Sequence, residues 1–558
     1  MTTALWEQKA QKVRDYRDAS LAKVEPALEE LPTPLPLNSL DLPKQFLTER
    51  EYELTQNYDA IALLDMLRSK KVTSEEVTRA FLRRAALAQK AVCNIYLNLH
   101  GSSADMDVNT HQINCVTELM WDEAIARAKY LDSLEKPIGP LHGLPLSVKE
   151  HHGMKGKKVH ANFIAWIDDE SDDNLLNNIL YDAGAVFYVR TTGPQALMHL
   201  ECENNIYGRT VNPHNRNLTS GGSSGGEGSL IAFGGSVLGV GGDIGGSVRN
   251  PAGNNGVYGF KPTCKRLPVG GIKLPMEGKD AIAATFGPLC RSRPTMDLFM
   301  KVIADAQPWR FDASLSPLPW TPVTTTKPLK IAIEWDDGVV KPHPPVLRAL
   351  REVAEACKKA GMEVVDWQPY DHRTAWDIIS ELYWPDAGKE VIGLLESEGE
   401  PLLPLTKFIL DQPMVKDHSM AEYWKLCLKR DGYRDQYAAH WSATARSTTG
   451  EVDLILCPTT PGVAPPHECA RYWGYTSQWN LLDYPAAVFP VTKVDPAQDA
   501  REEGYVPRND SDRYNHELYT GPERFQGAPV SLQLVGRRFF DEKVLAGLAA
   551  VEAAMGRK

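Results

Sequence analysis

Two glycine- and serine-rich clusters lie close together: Gly221-Gly-Ser-Ser-Gly-Gly-Glu-Gly228 and, after Gly234-Gly-Ser236, Gly239-Val-Gly-Gly-Asp-Ile-Gly-Gly-Ser-Val-Arg249. Glycine at this density costs backbone entropy on folding. A chain keeps it where the backbone must turn tightly, take positive φ or approach another group closely. Serine hydroxyls beside such turns face a ligand, and successive backbone N–H groups can converge on an anion. Three chemistries fit: a loop cradling phosphate, a purely structural turn, or an acyl-transfer centre. The phosphate loop lacks its pattern, since no G-x-x-x-x-G-K-[ST] run occurs and no G-x-G-x-x-G opens a helix after a clear strand here. A structural turn explains one cluster well and two clusters with several serines poorly.

Acyl transfer leaves a choice of serine. Gly221-Gly-Ser223-Ser-Gly225 fits the G-x-S-x-G nucleophile elbow, which needs an acid and a histidine downstream. His467 and His516 are available, but their settings, Pro465-Pro-His and Tyr514-Asn-His, add nothing for that role. The five-residue pattern is also easily met by chance in a chain with 42 glycines.

The longer context resembles the amidase signature family. Gly-Gly-Ser-Ser-Gly-Gly-Glu-Gly, Gly-Asp-Ile-Gly-Gly-Ser-Val-Arg and Asn255-Gly-Val-Tyr-Gly-Phe-Lys-Pro-Thr263 are similar to its signature segment in order and spacing. Gly139-Pro-Leu-His-Gly-Leu-Pro-Leu-Ser-Val-Lys149 upstream and Gly527-Ala-Pro-Val-Ser-Leu-Gln-Leu-Val-Gly536 near the end extend the likeness from about residue 60 almost to the terminus. The long N-terminal segment and the phrase Pro140-Leu-His-Gly-Leu-Pro resemble fungal acetamidase-type and general amidases. Animal fatty acid amide hydrolases, by contrast, carry a membrane-spanning N-terminal helix. The resemblance implies an α/β fold: a single large domain over residues 59–556, with a central mixed β-sheet covered by helices on both faces. Residues 1–58 would form a helical extension and a Pro-rich connector.

It also implies roles. Ser247 matches the nucleophile, Ser223 the bridging serine that sits on a cis peptide bond in the family, and Lys149 the general base. A serine hydroxyl is a poor nucleophile until a neighbour takes its proton, and a neutral lysine can do so through Ser223, then return the proton to the departing amine. The lysine must therefore be neutral. Bringing it from ~10.4 to about 7 costs roughly 4–5 kcal/mol, within what burial achieves, and Leu144, Pro145, Leu146 and Val148 are suited to bury it. The resemblance places the oxyanion hole at the backbone N–H groups of Ile244, Gly245, Gly246 and Ser247. Leu197 falls at a position lining the substrate site, Asp243 and Arg249 hold the loop, and Ser224 supports the turn.

Three positions depart from the commonest pattern. Gly242 stands for threonine, Glu150 for aspartate, and Asn250 for an apolar residue, where a polar side chain near the nucleophile would alter acyl preference. His151-His152 has no further ligands nearby in sequence, so no metal is expected, and the pair reads as surface or supporting histidines. Trp473, Tyr475, Trp479 and Tyr484 could bound the acyl pocket or simply pack.

The expected activity is hydrolysis of a small-molecule carboxamide, aliphatic or aromatic and acetamide-like, to a carboxylic acid and ammonia or an amine, without a cofactor. Competing readings are an amidotransferase A-like subunit feeding ammonia to a tRNA transamidation complex, a Ser-His-Asp esterase using Ser223, and a silent binding protein. The resemblance also suggests a homodimer.

Composition narrows the setting. With 61 basic against 72 acidic residues, the net charge of −11 works against nucleic acid and anionic membrane. No apolar run is long enough to span a bilayer, and the N-terminus turns charged at once, as a signal peptide would not. Nine cysteines, an odd number with no C-x-x-C pair, fit reduced thiols and a cytoplasmic location.

The elements that must position these residues are also legible. Residues 5–30 read as a surface helix, followed by the connector Leu31-Pro-Thr-Pro-Leu-Pro-Leu37. Ile61–Leu67 begins a helix, Thr73-Ser-Glu-Glu76 caps another that runs through Arg84, and Trp121–Leu134 is amphipathic. The polar stretch Gly101–Asn114 reads as an exposed loop, and Ser229–Phe233 as a buried helix. Leu329–Glu334, Val346–Ala360 and Gly361–Val365 predict a β-α-β unit, and Asp453–Cys457 and Val530–Val535 two buried strands.

Overall fold

The structure, a computed structural model, describes residues 4–90, 113–324, 328–447 and 450–557. The stretch expected as a loop from Gly101 lies outside the described residues up to position 112, as does Cys93.

Short aliphatic runs build one sheet of eleven strands. In chain order they are β1 (Val116–Leu119), β2 (Pro145–Lys149), β3 (Val186–Thr191), β4 (Leu238–Asp243), β5 (Tyr258–Lys261), β6 (Thr285–Cys290), β7 (Lys330–Ile333), β8 (Glu363–Asp366), β9 (Leu454–Pro458), β10 (Ala486–Lys493) and β11 (Pro529–Val535). Across the sheet they run β1-β3-β2-β4-β6-β5-β10-β11-β9-β7-β8. β2 is parallel to both β3 and β4, and β7 to both β8 and β9, while the strands between pair antiparallel. The sheet is mixed, and the β7-helix-β8 unit is the one the sequence predicts.

Side chains alternate across the pleat, so both faces are dressed. Leu454 and Leu456 of β9 enter one core, Ile455 and Cys457 the other. The first core receives Val346, Leu350, Val353 and Cys357 from helix Pro344–Lys359, and Phe81 and Leu82 from helix Ser74–Lys90. The second receives Ile379 and Leu382 from helix His372–Tyr383, and Tyr433, Tyr437 and Trp441 from helix Met420–Ser447. Each fully buried side chain of this kind contributes roughly 1.5–3 kcal/mol.

Helix starts follow their caps. Asp59 accepts from Ala62 N at 2.9 Å ahead of helix Ala60–Arg68, and Thr73 Oγ1 accepts from Glu76 N at 3.1 Å. The N-terminal helix departs from expectation. It ends at Ala22, and it docks rather than lying on the surface. Arg14 Nη1 donates to Ile206 O at 2.7 Å, and Ala10 packs with Ile164, Ile206 and Tyr207. Leu21, Val24, Leu28, Leu35, Leu42, Leu47 and Leu54 then join the core of the sheet.

β2 and β4 are parallel neighbours whose carboxyl ends carry Lys149 and Asp243. Open α/β sheets bind ligands outside the carboxyl ends of such strands. The helices Gly225–Ala232 and Arg249–Asn255 begin just beyond, bringing the two glycine-serine clusters to the same edge.

Candidate active site

Lys149 closes β2, a strand buried along its whole length. Its Nζ lies 2.7 Å from Ser223 Oγ, and the side chain is buried. Burial lowers its pKa from an ordinary 10.5 to about 7, with the carboxylates of Glu227 and Asp243 among the groups opposing the shift. As an ammonium it donates to the serine. As a neutral amine it accepts the serine proton instead.

Ser223 follows a cis Gly222–Ser223 peptide. A side chain at Gly222 would meet His199 O at 2.4 Å and Glu201 N at 2.8 Å, so the close approach demands glycine. Asn250 Oδ1 accepts from Gly222 N at 3.1 Å, so this residue braces the cis turn and is absent from the cavity wall. That corrects the expectation that it tunes acyl preference. The Ser224 N–H donates to Ser247 O at 3.0 Å, clipping the two serine loops together.

The Ile244–Ser247 loop is held from beneath. Asp243 accepts from Arg249 Nε and Nη2 at 3.0 Å each, from Asn480 Nδ2 at 2.9 Å and from Val248 N at 3.2 Å. Burial alone would raise its carboxyl, but the Arg249 guanidinium prevails and holds it at about 2. Gly246 N also donates to Asp243, at 2.9 Å. Its N–H is thus committed to the scaffold, which narrows the four-donor oxyanion hole inferred from sequence. Among the described residues, the N–H groups of Ile244, Gly245 and Ser247 have no protein acceptor. Tyr383 Oη donates to Ile244 O at 2.9 Å and Thr476 Oγ1 to Gly245 O at 2.7 Å, turning those carbonyls away from the cavity.

Lys149, Ser223, Asp243, Ile244 and Ser247 all line one cavity of about 380 Å³. Leu197 lines it too, and with Ala196 it takes positive φ (56° and 59°). The rest of the wall was not foreseen. Residues 269–272 and 274–280 with Ala283, Ala284 and Phe286 supply most of it, chiefly apolar through Val269, Ile272, Leu274 and Met276. No motif marks this stretch. Its signal, glycine and proline breaking short apolar runs before β6, is common to many loops.

Other expectations resolve differently. Trp473, Tyr475, Trp479 and Tyr484 are buried packing residues, none on the cavity wall. The helix that bears two of them, Gly474–Leu481, serves the site through Thr476 and Asn480 instead. His151 and His152 are buried rather than superficial, and burial lowers the pKa of both, so both are neutral. His151 lines the cavity. No cluster of metal-ligating side chains occurs among the described residues. His467 hydrogen-bonds Arg216 O at 3.0 Å and His516 packs on Tyr505. Neither lines the cavity, so the esterase reading lacks its histidine.

A mixed sheet dressed on both faces, with a lysine-bound serine beside a strand-to-helix glycine loop, defines a class: the amidases. Comparison with known proteins is specific. The model of the Amidase family matches residues 102–545. A Schizosaccharomyces pombe protein assigned as an amidase, C550.07, is 46% identical over 97% of this chain and 98% of that one. The acetamidase of Emericella nidulans is 37% identical over 99% and 98%. A solved fatty acid amide hydrolase superposes with a TM-score of 0.90 at 36% identity, covering 99% of this chain and 95% of that one. The chain belongs to the amidase family. Among the described residues, no helix is long and apolar enough to cross a membrane.

Proposed function

We propose that the protein hydrolyses carboxamides through an acyl-enzyme on Ser247, with Ser223 and Lys149 as the proton relay. The observation that carries this reading is the 2.7 Å contact between Ser223 Oγ and a buried Lys149 whose pKa burial lowers to about 7, so that a neutral amine is available at working pH. Ser247 Oγ attacks the amide carbon as its proton passes to Ser223, while the Ser223 proton passes to Lys149. The carbonyl oxygen becomes an oxyanion within reach of the free N–H groups of Ile244, Gly245 and Ser247. Such donors are worth about 3–4 kcal/mol each in comparable sites. The C–N bond then breaks, Lys149 returns its proton through Ser223 to the leaving nitrogen, and ammonia or an amine departs. Water enters, loses a proton to the same relay and cleaves the ester, releasing the carboxylic acid and restoring Ser247.

In this reading Asp243 and Arg249 hold the loop, Ser224 ties it to the cis turn, and Leu197 contacts the acyl group. The cavity volume and its apolar wall suit small aliphatic and aromatic acyl groups and leave room beyond acetamide. Relatives named acetamidase and fatty acid amide hydrolase support that range. A reducing, cytoplasmic setting belongs to the same reading, since the eight described cysteines are all free thiols.

The test is ammonia release by the purified chain alone from acetamide, propionamide, hexanamide and benzamide. Turnover is expected without partner chains, with Ser247→Ala abolishing both turnover and labelling by a fluorophosphonate. Turnover or labelling that survives Ser247→Ala removes the assignment.

A further inference from the structure

Two lysines stand on the cavity wall, and the acyl-transfer chemistry uses one of them. The other, Lys279, comes from the loop before β6, which no motif marks. Its Nζ donates to Tyr383 O at 2.8 Å, a contact that uses one of three N–H donors. The acids around it are engaged elsewhere. Asp386 accepts from Gly388 N and Glu390 N, Glu390 accepts from Met276 N, and Asp280 pairs with Lys265. Glu277 lies on the exposed rim. Burial lowers the Lys279 pKa to about 8, with Asp386 and Glu390 opposing. The ammonium is therefore charged at neutral pH, half-buried and without a carboxylate in salt-bridge contact. A cation so placed gains strongly from an acceptor that enters the cavity.

Its distance from the reacting centre is set by one residue. Tyr383 accepts a hydrogen bond from Lys279 on its main-chain oxygen, and its phenol donates to the carbonyl of Ile244 at 2.9 Å. One tyrosine and two hydrogen bonds thus bridge Lys279 to the loop that would hold the substrate carbonyl, and Leu274, Met276 and Ala284 add an apolar wall to the same cavity.

We propose that Lys279 determines specificity, selecting carboxamides whose acyl chain ends in a hydrogen-bond acceptor, a carboxylate above all: the half-amides of short dicarboxylic acids. The assignment rests on the amidase reading and deepens it. The chain's methylenes lie along the apolar wall while the far carboxylate accepts from the two remaining Lys279 N–H groups.

The test compares kcat/KM for the half-amide of adipic acid with that for hexanamide, a neutral chain of matched length. The wild type is expected to prefer the half-amide. Lys279→Met should cut that preference tenfold or more, with the loss chiefly in KM, and Lys279→Arg should retain most of it. A preference unchanged within twofold in Lys279→Met overturns the proposal, as does an equal loss on both substrates. A second measurement needs no turnover: adipate should raise the wild-type melting temperature more than hexanoate does. Equal shifts, or a larger one from hexanoate, also overturn it. Failure of every amide to turn over would strike the amidase reading instead, leaving the ligand-shift result to decide on Lys279.

Discussion

Lys149→Met should stabilise the protein while destroying its activity, and the stabilisation should depend on pH. The lysine has a pKa of about 7 when folded, against an ordinary 10.5. At about 1.36 kcal/mol per pH unit, burying this amine costs roughly 5 kcal/mol at neutral pH. Methionine has similar length and no charge to desolvate. Against this gain stands the lost contact with Ser223 at 2.7 Å, about 1 kcal/mol, so the net gain near pH 7 is roughly 3–4 kcal/mol.

The sign follows from proton counts. Between about 7 and 10.5 the unfolded chain binds the proton and the folded one does not, so wild-type stability rises with pH across that window. Below about 7 both states bind it and the full cost persists. The gap between variant and wild type should therefore be widest at pH 7 and below. It should shrink by roughly 3 kcal/mol on going to about pH 9.5. Parallel urea melts of the two proteins at both pH values read the gap directly, since other titrating groups cancel in the difference. A variant no more stable at pH 7, or a gap that stays constant, refutes the account of Lys149 as a dry, neutral amine.

The same amine sets the rate profile: kcat/KM should rise with pH through about 7 and fall about a hundredfold two pH units below, and a flat profile would deny Lys149 the role of base. Glu227, whose carboxylate accepts from Ser147 Oγ at 2.6 Å and Thr191 Oγ1 at 2.8 Å, holds the lysine pKa up. Glu227→Gln should therefore move that limb to lower pH, and an upward move would count against the assignment. Gly246 has φ of 129°, and a Cβ there would meet Thr476 Oγ1 at 2.3 Å. Gly246→Ala should displace the loop and lower kcat by about 10²-fold or more with the fold kept, as circular dichroism would register. Arg249→Met leaves the Asp243 carboxylate buried without its cation, and unfolding should come roughly 3–5 kcal/mol sooner in denaturant titration.

Much of the site was legible because its chemistry is compressed into short runs. Ser223, Ser224, Asp243, Ser247 and Arg249 lie within a few dozen residues, among glycines whose backbone demands are local. Lys149 was legible through the resemblance and the apolar residues before it. The sheet's strands and the β7-helix-β8 unit were legible because hydrophobic periodicity is a property of neighbours in sequence. Asn250 was misjudged for the opposite reason: its position next to the loop was clear, but the partner that claims its side chain, Gly222 N, lies 28 residues away. The aromatic quartet could have lined a pocket or filled a core, and sequence alone does not say which side of a helix faces a void.

The order of residues by itself determined which groups can react, where the backbone must turn, and that no strongly basic surface or long apolar span is present. Tertiary structure decided what those groups are. The Lys149 pKa falls to about 7 because β2 is buried along its whole length and a desolvated ammonium holds its proton less tightly. Lys149 and Asp243 become neighbours because β2 and β4 pair in parallel and end together, and the two serine loops meet where Ser224 N donates to Ser247 O. The wall of the cavity, with its second lysine, exists where the loop before β6 meets Tyr383 across a hundred residues of chain. Desolvation and long-range contact are sums over everything that packs around an atom, and no local stretch of sequence contains that sum.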